Sequence, residues 1–105
     1  GYDRVICVFQ PHTYSRTQSL FEEFAKALSY ADIAVLTEIY AARETNVNHI
    51  SSKSLADRIP GAVFTPTLPE AAEFIRRQAR PGDLIFTMGA GDIYKLFDML
   101  PHEEV

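Results

Sequence analysis

Short apolar runs alternate with helical patterns along this chain, and this alternation constrains its fold more than any other feature. Each run is short enough for a strand and is rich in apolar or β-branched residues. The runs cover about residues 4–9, 33–39, 62–65 and 84–88. Strands that are almost continuously apolar are typical of a parallel sheet with helices on both faces. The sequence therefore predicts an α/β fold with a doubly wound, mainly parallel sheet.

The segments between the apolar runs have the spacing of amphipathic helices. The predicted helices cover about residues 18–29, 52–58, 68–79 and 93–100. The third has the clearest start, because Thr67 and Glu70 have capping-box spacing and Pro69 falls in the first turn. Right-handed crossovers between such strands and helices give a Rossmann-like arrangement.

Length and composition limit the classes of protein to which this chain can belong. It has 105 residues, of which 47% are hydrophobic, so we expect a single ordered domain over residues 1–105. A net charge of −4 without a basic run argues against nucleic acid as a partner. We expect no signal peptide and no membrane span, since no apolar stretch approaches roughly 18–20 residues. Cys7 is the single cysteine, which favours a reducing, cytoplasmic setting.

Three polar loops are expected to meet at one edge of the predicted sheet. They follow the first, second and fourth strands and cover residues 12–17, 40–48 and 89–92. The carboxyl ends of parallel strands lie at the same edge, and open α/β sheets bind their ligands there. The candidate binding residues therefore come from these loops.

The first loop carries an imidazole, a phenol and a guanidinium, from His12, Tyr14 and Arg16. These side chains suit an anionic ligand, because the fork of an arginine matches a carboxylate or a phosphate. Arg16 could instead be exposed to solvent or paired with Glu22 or Glu23. No second histidine or cysteine lies at ligand spacing from His12, so no metal site is predicted.

The other two loops each allow a structural and a functional interpretation. Arg43 and Glu44 could form a surface pair, but the length of their loop favours a functional role. Gly89 and Gly91 could simply make a tight turn before a helix that Asp92 caps, or they could also contact a ligand.

The sequence lacks the motifs of nucleotide binding and of covalent catalysis. It contains no Gly-x-x-x-x-Gly-Lys-Ser/Thr loop, and Tyr94 occupies the third glycine position of the dinucleotide fingerprint. No nucleophile with a base and an acid partner stands out, so no catalytic residue is predicted. From its residues alone, the chain is expected to bind a ligand without catalytic machinery of its own.

Three segments, taken in order along the chain, match the motifs of one known family. Residues 9–17 read FQPHTYSRT, residues 38–44 read EIYAARE and residues 88–93 read MGAGDI. They resemble the FQPHRYTRT, YPARE and GAGDI segments of the Mur ligase family of peptidoglycan synthesis, in particular of its UDP-N-acetylmuramate–L-alanine ligases. The resemblance covers essentially the whole chain, but only the C-terminal domain of a three-domain enzyme.

The resemblance implies a cytoplasmic ligase that uses ATP and Mg²⁺ to convert the carboxylate of UDP-N-acetylmuramate into an acyl phosphate, which L-alanine then attacks. In that family the central domain holds the ATP loop and the magnesium ligands, and the N-terminal domain holds the UDP-sugar. The third domain contributes contacts to the amino acid and closes the cleft over ATP. This domain is therefore expected to bind no cofactor and to be inactive alone.

The resemblance also assigns roles to individual residues. The loop analysis and the resemblance together give the candidate substrate-binding residues His12, Tyr14, Arg16, Arg43, Gly89, Gly91 and Asp92. The family receives the alanine carboxylate on a His-Arg-x-x-Arg cluster, of which His12 and Arg16 are present, while Thr13 replaces the first arginine. Arg43 or a residue of another domain could compensate for that replacement.

Two other interpretations stay open. A sister Mur ligase that adds another amino acid or a peptide would share these motifs. The second is a free-standing, flavodoxin-like binding or signalling module. A phosphoacceptor receiver of that shape would need an acidic cluster at its strand ends, where only Glu38 and Asp92 lie.

Overall fold

The computed structural model describes residues 3–46, 49–89, 93, 95 and 96, and within them the strands form one four-stranded parallel sheet. The strands are β1 (Arg4–Gln10), β2 (Ile33–Leu36), β3 (Val63–Phe64) and β4 (Asp83–Gly89). Their order across the sheet is β3-β2-β1-β4, and each neighbouring pair is parallel. The predicted α/β class with a parallel sheet is confirmed.

Four helices connect the strands within the described residues. They are α1 (Tyr14–Ser19), α2 (Phe21–Leu28), α3 (Ser52–Asp57) and α4 (Leu68–Gln78). The predicted cap of α4 is confirmed, because Thr67 Oγ1 accepts a hydrogen bond from Glu70 N at 3.3 Å. Most of the predicted helix over residues 93–100 lies outside the described residues. None of the described helices has the length and apolar character that crossing a membrane requires.

The prediction of one helix over residues 18–29 is wrong, because two helices occupy this region and the first begins earlier. Thr13 caps α1 by accepting a hydrogen bond from Arg16 N, so the helix already begins at Tyr14. At Leu20 the backbone leaves the helical region, with φ −109° and ψ 21°. Tyr14 and Arg16 therefore lie on a helix rather than in a loop.

Apolar layers cover both faces of the sheet, as the sequence predicts. One layer joins α2 and α3 to the sheet and contains Cys7, Phe9, Ala25, Leu28, Ala34, Leu36, Leu55, Ala56 and Ile59. The other joins α4 to the sheet and contains Ile6, Val8, Val35, Ala71, Ala72, Ile75, Ile93 and Leu96. Because successive strand residues point to opposite faces, these alternating side chains hold helices on each side.

The winding direction of the sheet reverses beside β1. The chain passes from β1 through β2 to β3 with α2 and α3 on one face, and then returns through α4 on the other face to β4. In open α/β sheets, ligands bind at the carboxyl ends of the strands where this reversal occurs. The segments that follow β1 and β4 therefore flank the expected binding crevice.

Candidate functional site

The segments that follow β1 and β2 lie side by side at the carboxyl edge of the sheet. Tyr40 N donates a hydrogen bond to Pro11 O at 2.8 Å, and Thr13 N donates one to Tyr40 O at 2.8 Å. The rings of His12 and Tyr40 are stacked, with their centroids 5.7 Å apart and their planes inclined by 20°. The structure therefore brings the predicted binding residue His12 against the second loop.

Thr13 turns the chain from β1 into α1 in an unfavourable backbone conformation. Its φ is 64° and its ψ is 149°, a region that β-branched residues rarely adopt. Such a conformation costs about 1–3 kcal/mol, and surrounding contacts must maintain it. The hydrogen bond to Tyr40 O is one such contact, and the cap on Arg16 N is another.

α1 presents Arg16 on the surface of this edge. Thr17 anchors the helix, because its side chain is fully buried and its Oγ1 donates a hydrogen bond to Thr13 O at 2.7 Å. The guanidinium of Arg16 is exposed and makes no ion pair with any residue that the structure describes. The alternative partner Glu22 instead pairs with Arg58 at 2.7 Å. Arg16 is therefore available to a ligand.

Glu44 connects the second loop to the start of α1, a contact that the sequence did not indicate. Its Oε1 accepts a hydrogen bond from Ser15 N at 3.0 Å, and its Oε2 accepts one from Ser15 Oγ at 2.5 Å. These bonds hold the pKa of the Glu44 carboxyl below its ordinary value, and the nearby His12 contributes to the shift. The preference of carboxylates for helix starts was the available signal, but it required the position of α1 to be known.

Arg43 lies beside Glu44 on a turn with left-handed backbone conformations. Ala42 and Arg43 have φ of 50° and 74°, and Glu44 N closes the turn with a hydrogen bond to Ala41 O at 3.0 Å. Arg43 is exposed. Tyr14, Ser15 and Glu44 line a cleft of about 390 Å³ between α1 and this loop.

Four side-chain oxygens near this edge are buried and have no hydrogen-bond partner within the part of the chain that the structure describes. They belong to Gln10, Thr37, Ser52 and Thr65. Gln10 ends β1, Thr37 and Thr65 directly follow β2 and β3, and Ser52 begins α3. An unpaired buried hydroxyl or amide costs about 1–3 kcal/mol, so these groups lower the stability of this edge.

Gly89 ends β4 where the backbone of β1 comes very close. A Cβ at this position would lie 2.1 Å from Gln10 O, and the φ of Gly89 is +124°. Both the positive φ and the close approach exclude a side chain, so only a glycine fits at position 89. Its contact with substrate stays a prediction. Gly91 and Asp92 lie outside the described residues.

No group of three or more His, Cys, Asp or Glu side chains among the described residues is placed to hold a metal ion. The sequence also has no lysine-containing phosphate loop.

Known proteins are similar to this chain over most of its length. The family model described as "Mur ligase, glutamate ligase domain" matches residues 1–91. A UDP-N-acetylmuramate–L-alanine ligase of Acetivibrio thermocellus is 45% identical over 103 residues, which cover 94% of this chain and 22% of that protein. The ligase of the same name from Lachnospira eligens is 50% identical over 99 residues, with 90% and 22% covered.

The chain spans about a fifth of the length of the curated relatives that it matches. The segment with His12, Tyr14 and Arg16 and the turn with Arg43 both lie inside the range that the family model matches. Because this model covers most of the chain, the chain belongs to the Mur ligase family and corresponds to its glutamate ligase domain.

Proposed function

We propose that this chain is the C-terminal domain of a cytoplasmic, ATP-dependent ligase of peptidoglycan synthesis that joins L-alanine to UDP-N-acetylmuramate. In this proposal the domain binds the amino acid and closes the cleft over ATP, while the rest of the longer protein supplies the sites for UDP-sugar, ATP and Mg²⁺. The names of the relatives that are 45% and 50% identical support this ligase over a sister Mur ligase. Membership of the family favours a ligase domain over a free-standing module.

The observation that carries the proposal is the exposed guanidinium of Arg16 at the carboxyl edge of the sheet. It has no ion-pair partner among the described residues, and it lies on α1, four positions after His12 in the sequence. A planar guanidinium forms paired hydrogen bonds with a carboxylate, which every α-amino acid provides. We therefore assign the carboxylate of L-alanine to Arg16, with His12 as its neighbour.

This placement serves the formation of an amide bond. In the proposed reaction the amino nitrogen attacks the carbonyl carbon of an acyl phosphate, the bond from that carbon to the phosphate oxygen breaks, and the amino group loses a proton. Arg16 would hold the carboxylate of L-alanine so that its amino group points toward the acyl phosphate. Closure of the domain would exclude the water that hydrolyses such an intermediate.

Substitution of Arg16 in the full-length protein tests this function. Arg16→Ala removes a charged hydrogen bond of about 1.5–3 kcal/mol, so the KM for L-alanine should rise roughly ten- to a hundredfold. Arg16→Lys should recover only part of the loss, because an ammonium cannot form the paired contact. The KM values for ATP and UDP-N-acetylmuramate should stay unchanged. Arg77→Ala on the far end of α4 is the control for loss of an exposed arginine.

An unchanged KM for L-alanine in Arg16→Ala would contradict the assignment of the carboxylate. A tenfold higher efficiency with another amino acid than with L-alanine in the unaltered enzyme would instead indicate a sister ligase.

A further inference from the structure

Both carboxylate oxygens of Glu44 accept hydrogen bonds from one residue, Ser15, in the first turn of α1. Ser15 donates to them from its backbone N at 3.0 Å and from its Oγ at 2.5 Å. Ser15 directly precedes Arg16, so Glu44 is joined through one residue to the proposed carboxylate-binding side chain. Hydrogen bonds to an ionised acceptor are stronger than those between neutral groups. This contact therefore fixes the backbone from which Arg16 projects.

The start of α1 depends on such contacts because the helix is short. α1 has six residues, and helices of that length are not stable from their own backbone hydrogen bonds. Thr13 also caps the helix, but its backbone has the unfavourable φ of 64°. The direction of α1 is thus set by contacts from outside the helix, and Glu44 supplies two of them.

The loop that carries Glu44 adopts an unfavourable conformation in presenting the carboxylate. Ala42 and Arg43 both have positive φ in the left-handed region, which is unfavourable for non-glycine residues. The turn places Glu44 against Ser15, which is 29 positions earlier in the chain. Strain that a fold retains near a binding edge points to a functional requirement.

The charge of Glu44 argues against a direct contact with the substrate carboxylate. Its hydrogen bonds with Ser15 lower its pKa, so it is an anion at neutral pH. Two carboxylates at one site repel each other, and Glu44 already uses both oxygens within the protein. Its effect on the amino acid must therefore pass through α1.

We propose that Glu44 is a positioning residue for the amino-acid site, holding the first turn of α1 so that Arg16 points toward the substrate carboxylate. This inference rests on the proposed function, since it takes Arg16 as the group that receives the carboxylate.

Kinetics of five variants in the full-length protein test the inference, including the single Arg16→Ala variant. Glu44→Gln keeps the length of the side chain and removes its charge, and the KM for L-alanine should rise about three- to tenfold, as for contacts within one network. Ser15→Ala removes one donor and should act in the same direction with a smaller effect. Arg16→Ala is combined with Glu44→Gln to detect coupling. Glu23→Gln, an exposed glutamate in the first turn of α2, is the matched control and should change nothing.

The double variant separates positioning from direct contact and from general structural damage. If Glu44 acts through Arg16, Glu44→Gln should raise the KM for L-alanine less than about twofold further in the Arg16→Ala background. Independent, multiplying effects would overturn the inference, because Glu44 would then act without Arg16. Equal increases in the KM for ATP would also overturn it, since they would indicate general loss of structure.

The outcomes for the inference and for the proposed function are distinguishable. If Arg16→Ala leaves the KM for L-alanine unchanged, then the proposed function fails. If Arg16→Ala raises that KM while Glu44→Gln and Ser15→Ala do not, only the positioning role of Glu44 fails. Should Glu44→Gln fold poorly, the milder Ser15→Ala variant decides the question by the same comparison.

Discussion

At the amino-terminal ends of β1 and β4 the polar groups of this domain are paired, whereas several near the carboxyl ends of the strands are not. Arg4 donates to Asp83 from Nε at 3.1 Å and from Nη2 at 2.8 Å, and the Asp83 side chain is only 4% exposed. Asp83 also accepts from Arg80 N at 2.8 Å. Asp32 accepts from Val5 N at 2.6 Å, at the same end of β1. This edge joins the first and last strands with satisfied hydrogen bonds.

The carboxyl edge combines unpaired polar groups with unfavourable backbone conformations. Its buried oxygens without a partner among the described residues belong to Gln10, Thr37, Ser52 and Thr65. Its described non-glycine residues with positive φ include Thr13, Ala42 and Arg43. Such features lower stability and are retained where a protein needs a particular geometry for its function. The comparison teaches that one edge stabilises the sheet, while the other has unfavourable features that fit its proposed binding role.

Gly89→Ala should cause the largest loss of stability and would sharpen the comparison by showing where the carboxyl edge also supports the fold. The added Cβ would meet Gln10 O at 2.1 Å in a backbone with φ +124°. We expect the free energy of unfolding to fall by about 3 kcal/mol or more, measured by denaturant titration. Gly61→Ala is the control, since its φ is +78° but its Cβ would meet nothing within 4 Å. That variant should lose about 1 kcal/mol, and equal losses at both positions would contradict the role of the Gln10 contact.

Asp83→Asn tests the stabilising role of the amino-terminal edge. It weakens the paired contact with Arg4, and the midpoint of denaturant unfolding should fall clearly. Asp57→Asn is the control, because Asp57 pairs with Lys53 at 3.3 Å with both side chains 65% exposed. Such exposed pairs contribute about 0–1 kcal/mol. If the unfolding midpoint falls no further in Asp83→Asn than in Asp57→Asn, the contrast between the two edges is removed.

The pH dependence of stability gives a second measure of the same edge. The Arg4 hydrogen bond lowers the pKa of the Asp83 carboxyl, so the folded state favours its ionised form. The resulting stabilisation is present above the ordinary carboxyl range and is lost as the pH falls through the lowered pKa. Urea unfolding at descending pH should therefore show that the free energy of unfolding falls more steeply for the unaltered chain than for Asp83→Asn. Parallel pH profiles would show that the Arg4–Asp83 contact adds no stability.

Thr37→Val should have the smallest effect on the free energy of unfolding and, unlike the other variants, should raise it. The Thr37 hydroxyl is buried without a partner among the described residues, so replacement by a methyl group should stabilise the chain by up to about 1 kcal/mol. Thr17→Val is the control, because the equally buried Thr17 hydroxyl donates to Thr13 O. That variant should lose about 1 kcal/mol in the same unfolding assay. Destabilisation by Thr37→Val would mean that the Thr37 hydroxyl does not lower the stability of the folded chain.

The features that were predicted correctly from the sequence are those set by residues close to one another along the chain. The strand runs, the alternation of faces and the Thr67 cap of α4 follow from local spacing, and the structure has all of them. The early start of α1 and its end at Leu20 could not be predicted in this way. Thr13 is held in its unfavourable conformation by Tyr40, which is 27 positions away and reaches it only through the pairing of β1 with β2.

The candidate site shows the same limit. The carboxyl edge, His12 and Arg16 could be named from the order of strands and from the family motifs. The contact of Glu44 with Ser15 could not, because it needs a left-handed turn of non-glycine residues that no local pattern indicates. Substrate binding stays a prediction for all of these residues, His12 and Arg16 as well as Tyr14, Arg43 and Gly89.

The division between the two edges is tested most directly on Arg16→Ala and Asp83→Asn in the same full-length protein. Two quantities are measured for each variant: the melting temperature and the KM for L-alanine, the proposed substrate. Arg16 is exposed and makes no ion pair with the described residues, so Arg16→Ala should raise the KM roughly ten- to a hundredfold at an unchanged melting temperature. Asp83→Asn should lower the melting temperature and leave the KM unchanged. The opposite pattern, or an Arg16→Ala enzyme with the original KM, would contradict a stabilising amino-terminal edge and a binding carboxyl edge.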